Sequence, residues 1–113
     1  MIQIKRIYQE PDPRDGLRFL VDRLWPRGIA KEQARVDRWL KEIAPSAELR
    51  RWFGHDPAKW EEFRGRYLGE LKDQRSLLDE IVRQAREETV TLLYAARDEE
   101  HNNAVVLKEL LEK

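Results

Sequence analysis

Thr89-Val90-Thr91-Leu92-Leu93-Tyr94-Ala95-Ala96 is the stretch on which the fold turns. It is a continuous apolar run, β-branched at its start, and it reads as the central strand of a sheet. Before it, Leu77, Leu78, Ile81, Val82 and Ala85 recur at helical spacing and predict a helix over about 76–87. After it, the polar run Arg97-Asp98-Glu99-Glu100-His101-Asn102 leads into a last helix over about 99–112, for which Asp98 is the expected N-cap.

Further out, Ile2 to Tyr8 alternates enough to read as a strand, stopped by the turn residues of Glu10-Pro11-Asp12-Pro13-Arg14-Asp15-Gly16. A second strand follows at about 17–22, with Leu17, Phe19, Leu20 and Val21 placing apolar groups on both faces. The connection is too short for a parallel crossover, so these two strands are antiparallel or not directly paired. A long helical crossover, by contrast, lets strands 17–22 and 89–96 lie parallel. Between them the period is helical, with Val36, Trp39, Leu40 and Ile43 on one stripe and Trp60, Phe63, Tyr67 and Leu71 on another. Ser46 caps a short helix that Gly54 ends, and Asp56-Pro57 starts the next. The fold expected is α/β, a small, partly parallel sheet of about three strands under four to five helices, in one domain over residues 1–113.

The composition narrows the function classes. Lys plus Arg equal Asp plus Glu at 22 each, so no global field draws the chain to nucleic acid or to an anionic membrane. Arg35-Val36-Asp37-Arg38 and Arg50-Arg51 are interleaved with acids and read as solvated helix faces, so nucleic acid is not an expected partner. The absence of cysteine removes disulfides and thiolate chemistry, and no apolar run reaches the roughly 20 residues that span a bilayer. The expected setting is cytoplasmic, with no membrane partner. An exposed edge strand offers a route to a homodimer.

Ligands in parallel α/β sheets bind outside the carboxyl ends of the strands. Two loops leave those ends here: Asp22-Arg23-Leu24-Trp25-Pro26-Arg27-Gly28 and Ala96-Arg97-Asp98-Glu99-Glu100-His101-Asn102. Arg23, Arg27 and Arg97 are candidate anion contacts; Trp25, Gly28, His55, Tyr94 and Asn102 complete the candidate ligand-binding set. Asp22, Asp98 and His101 are the candidate catalytic groups, with His101 the best acid–base candidate because imidazole titrates near neutral pH. The helix after the first loop begins at Ile29-Ala30-Lys31 without a capping side chain, so its first amides need another acceptor, water or an anion. Plainer readings stand beside these: an ordinary Asp22–Arg23 ion pair, and tryptophans that belong to the core. No pair of potential metal ligands has a recognised spacing, and neither metal nor cofactor is expected.

Leu20-Val21-Asp22-Arg23-Leu24-Trp25-Pro26-Arg27-Gly28, Trp39-Leu40-Lys41-Glu42-Ile43-Ala44-Pro45-Ser46, His55-Asp56-Pro57 and Leu92 through Ala104 together resemble the YeaO-like family of small bacterial proteins, a domain of unknown function. The resemblance covers nearly the whole chain. Members often carry a cysteine at the end of the last strand and a Cys-His-Arg run in the next helix; here Tyr94 stands near the first place and Asn102-Asn103 near the second. Thiol chemistry therefore does not transfer. Where relatives tend to have serine before the Lys31-Glu32 helix, this chain has Ala30. The reading that follows is a domain that binds or acts on a small phosphorylated or carboxylated ligand, including nucleotides. The alternative is an interaction or regulatory subunit anchored by Trp25 and Trp52.

Overall fold

The computed structural model describes residues 1–113. Four strands form one sheet: β1 (Ile2–Arg6), β2 (Leu17–Leu20), β3 (Arg38–Trp39) and β4 (Val90–Tyr94), in the order β1-β4-β2-β3. Every pairing is parallel, with Ile2 opposite Val90, Leu17 opposite Val90 and Phe19 opposite Arg38. The apolar run at 90–94 is thus internal, flanked by β1 and β2, which do not touch each other. Five α-helices surround the sheet: α1 (Lys31–Ala34), α2 (Ala47–Phe53), α3 (Trp60–Leu71), α4 (Arg75–Glu87) and α5 (Asn103–Leu111).

Alternation along the strands divides the core into two layers. Phe19, Val21, Val90, Leu92 and Tyr94 face a large cluster with Phe53, Phe63, Tyr67, Ile81 and Leu107 from the helices. Leu20 and Leu93 point the other way, to Ile7 and Ala34, with Trp25, Ile29, Val36 and Trp39 packed against them. The sheet is covered on both faces, which is why its central strand is apolar throughout.

The helical stripe expected at Val36, Trp39, Leu40 and Ile43 is corrected by the structure. Arg35 turns left-handed at φ 50° and ends α1 after one turn. The chain then runs beside β2: the Asp37 amide donates to the Arg18 carbonyl at 2.8 Å, and the Leu40 amide to that of Leu20 at 2.8 Å. The Asp37 side chain accepts from the Arg18 amide as well, at 2.8 Å. Four apolar residues over eight positions fit a helix face, but tertiary pairing with an open strand edge wins. A 3-10 turn at Lys41–Ile43 follows.

Candidate functional site

All four strands run in the same direction, so the loops leaving them gather at one rim. There they enclose a cleft of about 630 Å³. Asp22, two residues beyond β2, ties the rim together. Its Oδ2 accepts from the Ala95 amide at 2.9 Å, and its Oδ1 from the Asn103 side chain at 3.2 Å. Asn103, at the start of α5, also donates to the Val21 carbonyl at 2.8 Å. Burial pushes the Asp22 carboxyl above its ordinary range, against the lowering effect of the Ala95 amide, the Asn103 amide, Arg50 and His55. Asp22→Ala leaves the Ala95 amide without an acceptor and Asn103 with only the Val21 carbonyl, and is expected to cost about 1–3 kcal/mol in urea unfolding.

The first loop is held by its tryptophans. Trp25 Nε1 donates to the Ile29 carbonyl at 2.8 Å and Trp39 Nε1 to that of Asp22 at 2.7 Å, and the two rings meet edge to face at 5.5 Å. Arg23 is anchored through Nε to the Pro45 carbonyl at 3.0 Å. In the second loop, Asp98 closes a turn rather than capping the helix, a correction of the expected assignment. Its Oδ1 accepts from the amides of Glu100 at 2.9 Å and His101 at 3.0 Å, while Oδ2 meets His101 Nδ1 at 2.9 Å. The α5 cap is Asn102, whose side chain accepts from the Val105 amide at 3.1 Å. The longer loop arises because both Asp and Asn can cap, and only Asn102 sits at the true first turn.

The Glu100 amide and the His101 side chain hold the Asp98 carboxyl below its ordinary value. In a carboxyl-carbon NMR titration, Asp22 is expected to protonate above, and Asp98 below, the unperturbed aspartate value of about 3.9. The signs oppose each other in stability. Ionised Asp22 disfavours the fold, and its penalty disappears as pH falls through its raised value. Asp98 favours the fold above the unfolded value, and that support is lost as pH falls through its lowered one.

Of the residues expected at the site, Asp22, Arg23, Trp25, Arg27, His55, Arg97, Asp98, His101 and Asn102 line this one cleft. Gly28 and Tyr94 do not; Tyr94 is buried within the core. Tyr8, Arg50 and Asn103 line the cleft and were not among the expected residues. Tyr8 gives no local signal, because only the parallel pairing of its strand with β4 carries its exit to this rim. His55 adopts a left-handed backbone, φ 57°, directly after Gly54 at φ 53°. His101 rests edge-on against Trp60, with ring centres 5.2 Å apart. Helix α1 is only four residues long, so its uncapped amides supply no extended dipole. No three His, Asp or Glu side chains gather in a group that could hold a metal ion. No helix is long and apolar enough to cross a membrane.

The whole chain, residues 1–113, matches a family described as the inactive DUF488-N3 subclade. An uncharacterized protein of Mycobacterium tuberculosis is 43% identical over 110 residues, covering 97% of this chain and 92% of its own. The uncharacterized protein YeaO of Escherichia coli is 43% identical over 110 residues, covering 97% of this chain and 96% of its own. No solved structure matches the chain. A match along the full length, with this identity to YeaO, places the chain in the YeaO-like family of unknown function, within the subclade described as inactive DUF488-N3.

Proposed function

We propose that the protein is a cytoplasmic binding domain for a small anionic ligand, held in the cleft at the carboxyl ends of the strands. The observation that carries this reading is an imbalance of charge. Arg14, Arg18, Arg38, Arg64, Arg66 and Arg75 each have a carboxylate partner within 4 Å. Arg6, Arg35, Arg51, Arg83 and Arg86 have none and are spread outside the cleft, whereas Arg27, Arg50 and Arg97, also without one, converge on the cleft together with Arg23, which uses only its Nε. The cleft carboxylates, Asp22 and Asp98, are occupied by amides and by His101. In a chain with equal acids and bases, a cleft of unpaired guanidinium groups is a place for phosphate or carboxylate.

Binding is favoured over turnover. The family is described as inactive, and the chain has no thiol to supply a nucleophile. The Asp98–His101 pair is the part of the cleft equipped to move a proton, with Asp98 orienting the ring and the other nitrogen free. Trp25 walls the cleft, as a ligand site requires, whereas Trp52 lies under Lys59 and Arg66 outside it. That arrangement supports the ligand reading over an interaction surface anchored on both rings.

The test is thermal stabilisation by phosphate, sugar phosphates and carboxylates. A ligand at a hundred times its dissociation constant is expected to add about 2.7 kcal/mol of stability. Arg97→Ala, which breaks no internal bond, is expected to keep the native melting temperature and lose most of that gain. Stabilisation of Arg97→Ala and of Arg23→Ala as large as that of the native protein would remove both arginines from the site.

A further inference from the structure

The cleft is far larger than an inorganic anion, and its remaining wall says what else the ligand carries. Three large apolar side chains are notably exposed in the molecule: Met1 at 72%, Leu24 at 58% and Tyr8 at 44%. Two of these, Leu24 and Tyr8, line this cleft. Exposed apolar surface beside a polar cleft marks a place where a ligand covers it.

Tyr8 is also fixed in position. Its hydroxyl donates to the Arg27 carbonyl at 2.9 Å. The Arg6 guanidinium lies over one face of the ring, 5.1 Å from its centre. Arg6 is itself held, donating through Nε to the Ala96 carbonyl at 2.9 Å and through a terminal nitrogen to that of Ala95 at 3.2 Å. The result is a ring clamped at its hydroxyl end, backed by a cation on one face and still open to solvent. A rigid aromatic face beside unpaired guanidinium groups suits a planar ring joined to a phosphate.

The geometry points to a nucleoside monophosphate as the ligand class, with its phosphate on the cleft arginines and its base on Tyr8. This rests on the anion-binding reading above and adds the base. Stacking of one base on one aromatic ring corresponds to roughly 5- to 150-fold in affinity. The base therefore gives adenosine monophosphate an advantage over ribose 5-phosphate, which carries the same phosphate and sugar without a ring system.

Isothermal titration of the full chain with adenosine monophosphate, ribose 5-phosphate and inorganic phosphate tests this. Adenosine monophosphate is expected to bind at least about tenfold more tightly than ribose 5-phosphate. Tyr8→Ala is expected to erase that difference while leaving ribose 5-phosphate affinity unchanged, and Tyr8→Phe, which keeps the ring, to preserve it. Arg97→Ala is expected to weaken all three ligands. Equal affinity for adenosine monophosphate and ribose 5-phosphate in the native protein overturns the base site and leaves the anion site standing. The base site is overturned in the same way if Tyr8→Ala keeps the preference, or weakens both organic ligands equally. No binding of any of the three overturns the base site together with the anion reading.

Discussion

Gly16→Ala is expected to cost about 4 kcal/mol or more, enough to leave a small domain largely unfolded. Gly16 follows the 3-10 turn at Pro13–Asp15 and adopts φ 64° and ψ −130°, a conformation that residues with a Cβ rarely enter. A Cβ there would lie 2.1 Å from the Thr89 carbonyl oxygen. That carbonyl cannot retreat cheaply, because it accepts from the Leu17 amide at 2.9 Å and begins the β2–β4 ladder. Gly28→Ala is the control. It has a similarly positive φ of 77°, but nothing lies within 4 Å of the added carbon. It is expected to cost only the conformational penalty, about 1–2 kcal/mol. If the two substitutions shift the urea midpoint equally, the close approach of Gly16 to Thr89 has no energetic weight.

Asp15→Ala is the second large effect. Asp15 and Arg18 are both nearly buried and form an ion pair, and Lys5 joins Asp15 at 3.0 Å. Arg18 spends its other donors on the Ala34 carbonyl, at 2.8 Å, and on that of Arg35, at 3.2 Å. Removing the carboxylate leaves a guanidinium in the interior without its counter-charge. Losses of about 3–5 kcal/mol accompany such changes. Replacing both partners, Asp15→Ala with Arg18→Met, should cost less than the sum of the two single changes, because neither charge is then stranded. Strict additivity would show that the pair is not energetically coupled.

The same carboxylate sets a pH dependence. Burial raises Asp15, but the Asp12 amide, Lys5 and Arg18 together outweigh it, and the carboxyl ends below its ordinary value. The stabilisation is present above the unfolded value of about 3.9 and is lost as pH falls through the lower folded one. Asp12, paired with Arg14, is held to about 2 and acts in the same direction. Between those limits the native protein should lose stability with acid more steeply than Asp15→Ala does.

Much of this architecture was legible in the residues. The unbroken apolar run at 90–94 marked the internal strand, and the short Pro- and Asp-rich link after Tyr8 left β1 and β2 either antiparallel or not directly paired, of which the second holds. The spacing of Leu78 and Ile81 located α4, and Ser46 and Gly54 bounded α2. What the sequence concealed depended on tertiary partners. Val36, Trp39, Leu40 and Ile43 carry a helical period, and only the free edge of β2 draws the segment into β3. Asp98 and Asn102 are equally good caps until the length of the loop is known. At the site, the two loops were readable as neighbours because parallel strands share an exit. Arg50 and Asn103 were not, since nothing local says which face of α2 or α5 meets the cleft.

The placement of β4 between β1 and β2 also shapes how the chain is made. Both early strands leave the ribosome without the segment that joins them, and the ladder closes only when residues 90–94 arrive. At about 5–20 residues per second, the roughly 70 residues between the end of β2 and the end of β4 take several seconds to synthesise. Throughout that interval Ile2 has no strand partner, and Phe19 and Leu20 have only the two-residue β3 beside them. Nascent chains are therefore exposed to chaperones and to one another until residues 90–94 are added, and truncations that remove β4 should yield aggregates instead of a shorter fold.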